Sequence, residues 1–412
     1  MRCGRLVTRG WFGALAGLLL LSTPALAAGP IIDEDGFDAA QYGGMFGYPV
    51  QRATPTPQNA MVGVYSHYDR VRPLRPVFTA GPVSALGRAE DPFALGWTTA
   101  AGAPTTLQDY VERAPVTGLL IARGDTILYE RYRYGRTPED RFLSQSMAKT
   151  LTGLLVGIAL HEGKIRSIDD VAATYVPELA GTEYGATPIR HLLRMSSGVA
   201  YLEDYSGKDD SAKLGRMLFP REAPGAVAAV KQFNTRTAKP GARFYYSGAE
   251  TEVLGLVVAR SAGTTLSNYL SEAIWAPMGM EAPGGWAVDS TGQETAFCCY
   301  VATLRDWARI GLMLAHDGLW NGRQIVPRQW VIDSTTVGGA TTSYGNQVWL
   351  VTPPANEPGR RVFSLIGIHG QRVYVDAKTK TVLVQTAVYL PANGPEIRES
   401  NLMWRALLAA AP

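Results

Sequence analysis

Ser146 and Lys149 stand three residues apart in "RFLSQSMAKTLTGLLVGIALHEGK", which runs from Arg141 to Lys164. On a helix that spacing puts both side chains on one face. A serine in the first turn lies beside main-chain N–H groups that lack a partner inside the helix. A lysine one turn further in, followed by apolar residues, loses part of its preference for the charged form and can act as a base toward the serine. The same free N–H groups, with the helix dipole, can hold a developing oxyanion. These are the parts of nucleophilic acyl transfer. A helix cap followed by a lysine reaching the surface would use the same letters. This is the only Ser-x-x-Lys in the chain, it follows a hairpin signal, and it opens a strongly apolar helix, which weighs toward chemistry.

Other reactive patterns are weaker. The chain has no Gly-x-Ser-x-Gly elbow, and "HEGK" at His161 stops short of the His-Glu-x-x-His of metallopeptidases. Cys298 and Cys299 are neighbours in "AFCCYVATLRDWARIG". Adjacent cysteines close a strained ring poorly, and two thiols without nearby ligands make no zinc site. They read as small buried side chains.

The serine and lysine need elements to hold them, and the order of signals suggests which. "MRCGRLVTRG", "WFGALAGLLLLST" and "PALA" form a basic, then apolar, then small-x-small leader, so residues 1–27 read as a signal peptide cut after Ala27. Cleavage there removes Arg2, Arg5 and Arg9 and no acid, taking the formal charge from +3 to zero. A neutral chain gives no electrostatic reason to expect nucleic acid, and no second long apolar segment offers a membrane anchor. The expected location is the periplasm or the exterior, with disulfides permitted but no disulfide framework. About 385 residues remain, enough for a large core.

Residues 28–110 are rich in Pro, Gly and aromatics and read as an irregular wrap without chemistry. "TGLLIARGDTILYERYRYG" gives two strands joined by a turn, where "RGD" is turn chemistry rather than an adhesion motif. The first long helix spans about Gln145 to Glu162. Short helical pieces follow, then a helix after "PGARFYYSGAETEVLGLVVARSAG", and another capped by Thr303. "SYGNQVWLV", "RVFSLIGIHGQRVYVDA" and "KTVLVQTAVYL" read as three strands before a last helix, "IRESNLMWRALLAAA". Strands near both ends with helices between them predict an α/β fold of α+β type: a mostly antiparallel sheet of N- and C-terminal strands flanked by helices. A helical lobe over about 165–300 would be inserted within a domain of 111–412.

Several of these stretches, in order, resemble the penicillin-recognising serine hydrolases, the class C β-lactamase-like family. They are "SQSMAKTLTGLLVGIALHEGKIRSIDDVAATYVPELAG", "TPIRHLLRMSSGV" and "PGARFYYSGAETEVLGLVVARSAG". The resemblance runs from about Val116 to the C-terminus, and "FCC…ATLRDWARIG" and "GIHGQRVYVD" look closest to its 6-aminohexanoate-dimer hydrolase branch. It implies a β-lactamase/transpeptidase-like fold with Ser146 as nucleophile and Lys149 as its base. The family's Tyr-x-Asn falls on Tyr246-Ser247-Gly248, making Tyr246 the proton relay and Tyr245 its rival. Lys-Thr-Gly and a small residue fall on Leu365-Ile366-Gly367-Ile368, so Gly367 would line the substrate site and the Ile368 N–H would join that of Ser146 in an oxyanion hole. A second register puts His369 at the substrate; otherwise it is a strand residue bonded to a neighbour. Tyr205, in "YLEDYSGKDD", matches a loop tyrosine that bonds the substrate amide in the dimer-hydrolase branch; otherwise it is an exposed loop tyrosine. Glu203, Asp209 and Asp210 read as a solvated acidic loop.

Gly248 stands where β-lactamases have an asparagine, and Leu365 where they have a cation for the substrate carboxylate. Both departures weaken the β-lactam and D-Ala-D-Ala readings more than serine hydrolysis itself. The resemblance implies hydrolysis of a small-molecule amide or ester through an acyl-enzyme, with no metal or organic cofactor. A carboxylesterase, a D,D-peptidase or β-lactamase, and a non-catalytic binding protein on the same fold remain as alternatives. The sequence carries no signal for oligomeric state.

Overall fold

The computed structural model describes Met1 and residues 29–390 and 396–410; the leader expected at 1–27 lies outside these apart from Met1. The strands that matter to the site are β1 (Ile31–Ile32), β2 (Leu74–Val77), β3 (Gly87–Arg88), β4 (Val116–Arg123), β5 (Thr126–Tyr132), β6 (Phe142–Leu143), β7 (Gly284–Ala287), β8 (Tyr300–Ala302), β9 (Trp349–Leu350), β10 (Val362–Gly367), β11 (Gln371–Asp376) and β12 (Thr381–Ala387). The main sheet runs β1-β5-β4-β12-β11-β10-β9, with β3 also pairing β5. Among the described residues only β1 and β3 pair in parallel, both with β5. The expected sheet of N- and C-terminal strands is therefore the one found, and β4 against β12 is the seam between the two ends of the chain.

Central strands here are apolar on both faces because both faces are covered. In β4, Leu120 and Ala122 join one core while Leu119 and Ile121 join the other. In β12, Val382 and Val384 alternate with Leu383 in the same way. Four helices matter here: α1 (Ala148–His161), α2 (Gly248–Ala262), α3 (Leu304–Ala315) and α4 (Glu396–Ala410). The first core takes α1, α2 and α3; the second takes Met403, Trp404, Leu407 and Leu408 of α4. Thr303 caps α3 by accepting the Asp306 N–H at 3.1 Å, as its sequence suggests. Among the described residues no helix is long and apolar enough to cross a membrane.

Three expectations are corrected. "RVFSLIGIHGQRVYVDA" is not one strand but the hairpin β10–β11, because Ile368–Gly370 form a tight turn with His369 and Gly370 at positive φ. The stretch expected as a helical lobe is not purely helical: it supplies β7 and β8, which pair with β2 and β6 from outside it in a four-stranded sheet. Residues 29–110 are more than a wrap. They place β1 and β3 on the sheet edge and bury Met61, Val62 and Val64 in the first core.

The candidate active site

α1 is buried along Ala148–Ala159, so its lysine has no route to solvent along the helix. Ser146 sits in the 3-10 turn Gln145–Met147 that leads into α1, with Gln145 at φ 47. That turn is anchored from β6 and β8: Ser144 N–H donates to the Tyr300 carbonyl at 2.8 Å, and the Tyr300 N–H donates to Ser144 Oγ at 3.1 Å. Lys149 Nζ donates to Ser146 Oγ at 2.9 Å and to the Phe297 carbonyl at 3.0 Å. Burial lowers its pKa to about 8, against the opposing pull of Glu203 and Glu252. Near neutrality the amine can therefore shed a proton while keeping its hold on Phe297.

Tyr246 stands just ahead of α2, whose N-terminal flank is Ser247. Its ring lies 5.3 Å from that of Trp349 and 4.8 Å from Lys149 Nζ. Burial, then Glu203, raise its pKa; a hydrogen bond with Ser146 and the charge of Arg372 work the other way. The tyrosine thus stays protonated where the lysine does not, which fits a donor and relay rather than the primary base. Tyr245 is 41% exposed and lies outside this cavity, so Tyr246 is the one brought to the serine.

One cavity of about 210 Å³ is lined by Ser146, Glu203, Tyr205, Tyr246, Trp349, Ile366, Gly367, Ile368 and Arg372. The end of β10 packs hard against the turn that carries Ser146: a Cβ on Gly367 would lie 2.4 Å from the Ser144 carbonyl oxygen and 2.9 Å from the Gln145 Cβ. Only glycine permits this approach, which brings the Ile368 main chain beside Ser146. His369 is not part of the lining. Its Nδ1 meets the Tyr389 carbonyl at 2.7 Å and its ring packs edge-on to Tyr65, the bonded-neighbour alternative of the sequence reading. Leu365 is buried in the first core and offers nothing to a substrate. Among the described residues no cluster of three His, Cys, Asp or Glu could hold a metal ion.

The acidic loop is exposed at Leu202 and over Asp204–Lys208, but Glu203, Asp209 and Asp210 are not free in solvent, contrary to expectation. Asp209 caps the helix Asp210–Leu218 and gathers the N–H groups of Asp204 and Tyr205. Asp210 accepts the Leu202 N–H at 2.9 Å. Those bonds turn Glu203 inward, where it accepts the Gly248 N–H at 2.7 Å and the Tyr205 hydroxyl at 3.0 Å. A side chain at 248 would meet Glu203 Oε2 at 3.3 Å, so the glycine leaves room for the carboxylate. Cys298 and Cys299 are joined in a disulfide, contrary to the expectation of two thiols; Cys299 at φ 68 turns the chain so that adjacent side chains meet. Sequence reasoning also missed Trp349, Arg372 and Tyr65, whose hydroxyl accepts from Gln145 Nε2 at 2.7 Å. Arg372 had a signal: a charge inside an apolar strand run, six residues after Ile366.

Comparison with known proteins places the chain in a family. Residues 104–409 match the Beta-lactamase family model. The chain is 32% identical over 297 residues to the 6-aminohexanoate-dimer hydrolase of Paenarthrobacter ureafaciens, covering 68% of this chain and 74% of that protein. A solved structure of a proposed 6-aminohexanoate-dimer hydrolase from Bacillus anthracis aligns at TM-score 0.75 and 27% identity, over 85% of this chain and 94% of that one. The octameric penicillin-binding protein homologue from Pyrococcus abyssi shares the fold at TM-score 0.55 and 18% identity, over 72% of this chain and 74% of that one. The matched span contains the serine–lysine turn, Tyr246 and the β10 end, and the chain belongs to the beta-lactamase family of serine hydrolases.

Proposed function

We propose that the protein hydrolyses a small linear amide of the 6-aminohexanoate-dimer type, or an ester, through an acyl-enzyme on Ser146. The observation that carries this reading is the 2.9 Å Lys149–Ser146 contact, with the lysine buried and its pKa lowered to about 8. Ser146 Oγ attacks the scissile carbonyl carbon as its proton passes to neutral Lys149 Nζ. The Ser146 and Ile368 N–H groups receive the oxyanion. The bond to the leaving nitrogen or oxygen then breaks, and that atom takes a proton through Tyr246. With Lys149 neutral again once its proton has passed through Tyr246, water attacks the acyl carbon and gives a proton to Lys149; the bond to Ser146 Oγ breaks, Lys149 returns that proton to the oxygen, and the second product is freed. Tyr205 lines the same cavity, and its hydroxyl, which donates to Glu203, would accept from the substrate amide. The basic and apolar leader supports export to the periplasm or beyond, with the mature chain starting at Ala28.

The test is a panel of short linear amides and matched esters followed by mass spectrometry, with penicillin alongside. Wild-type protein should release the acid and the amine or alcohol, and Ser146→Ala should release neither. Turnover surviving in folded Ser146→Ala would refute the assignment.

A further inference from the structure

Arg372 is nearly buried, at 4% exposure, yet its Nη1 spends both of its hydrogen bonds on main-chain carbonyls. It lies on β11 directly opposite Ile366 of β10, and it lines the cavity that holds Ser146. Nη1 donates to the Gly367 carbonyl at 2.6 Å and to the Gln371 carbonyl at 2.8 Å, bridging the two ends of the turn.

The first of these bonds bears on the reaction. The Gly367 C=O and the Ile368 N–H belong to one planar peptide unit, in which they point in opposite directions. Holding the oxygen therefore sets where the N–H points. This peptide is in particular need of holding, because glycine precedes it and a turn with two positive-φ residues follows. Other side chains secure the rest of the turn. Gln371 Nε2 donates to the Ala387 carbonyl at 2.6 Å and, at greater length, to the carbonyls of Ile368 and His369. His369 is tied to Tyr389. Neither reaches the Gly367 carbonyl.

We propose that Arg372 is a positioning residue of the oxyanion site: by clamping the Gly367 carbonyl it aims the Ile368 N–H at the scissile carbonyl oxygen. The proposal rests on the acyl-enzyme reading given above. A preorganised donor is worth about 10²–10³ in rate when deleted. Loosening one should cost about 10- to 100-fold.

The experiment compares a neutral p-nitrophenyl acyl ester with its thionoester, in which sulfur replaces the carbonyl oxygen. A neutral substrate removes any direct charge contact with the guanidinium. Sulfur accepts hydrogen bonds poorly, so the oxygen-to-sulfur rate ratio reads the oxyanion donors, and burst titration corrects for active sites. In Arg372→Met, kcat on the oxygen ester should fall about 10- to 100-fold with KM little changed, and the thionoester rate far less, so that the ratio drops about tenfold. Arg372→Lys, which keeps a donor, should lie between, and it carries the same test if the methionine variant does not fold. Equal losses on both esters would reduce Arg372 to structural support and overturn the proposal, as would no loss on either. Wild-type protein that cleaves neither ester would sink the hydrolase reading and this proposal together.

Discussion

Lys149 is a cation placed where a cation is costly, and that cost can be measured in two ways. The unfolded chain keeps this amine protonated up to the ordinary lysine value of 10.5, whereas the folded site releases the proton near 8. Between those values the unfolded state binds more protons, so stability rises with pH; below 8 the full penalty remains, on the order of 3 kcal/mol. Lys149→Met should therefore raise the melting temperature at pH 7 while abolishing turnover, and a lower melting temperature would contradict the burial argument. The catalytic sign is fixed by the same group. On the proposed mechanism the neutral amine is the base, so the acylation rate in wild-type protein should climb as pH rises through about 8 and level off above it. Stopped-flow measurement of the ester burst from pH 6 to 10 checks this; a rate flat across that range would remove Lys149 from the role.

Position of the pair is set by elements rather than by the pair itself. The 3-10 turn, the β6–β8 anchor and the glycine end of β10 meet within a few ångströms of Ser146. Gly367→Ala would push a methyl group into the Ser144 carbonyl and the Gln145 side chain, so the strand end or the nucleophile turn must shift. The expected result is a fall in kcat of tenfold or more with a stability loss of about 1–3 kcal/mol, read by kinetics and denaturant melts. Activity close to wild type would show that the two elements are not held as closely as described. Much at this scale was legible in the sequence: α1, α2 and the Thr303 cap of α3 follow from apolar spacing and cap chemistry. The β10–β11 hairpin was not, because its turn contains isoleucine and histidine and His369 adopts the positive φ usually left to glycine. Glu203 was misread for a related reason. Its direction is decided by hydrogen bonds that Asp209 and Asp210 make within the loop, and no periodicity records those.

Across the whole molecule, N- and C-terminal strands close one sheet through β4 and β12, and α3 from the chain between them packs on its face. That plan follows from the order of strand and helix signals, since strands clustered at both ends must pair across the intervening chain. The contribution of residues 29–110 did not follow, because short strands such as β1 and β3 gain their meaning only from β5 beside them. Tyr65 shows the consequence: a segment without visible chemistry braces Gln145, the residue next to Ser146. The Ser146–Lys149 contact was legible in three-residue spacing at the head of an apolar helix, whereas Tyr246 and Ile368 were singled out only through resemblance. The most direct measurement of the central claim is intact mass of the mature protein after a fluorophosphonate probe, with Ser146→Ala and Lys149→Ala treated in parallel. A single adduct on wild type, absent from Ser146→Ala and slow to form on Lys149→Ala, is the predicted result. A folded wild-type protein that takes no adduct, or one that is labelled equally in Ser146→Ala, would contradict it.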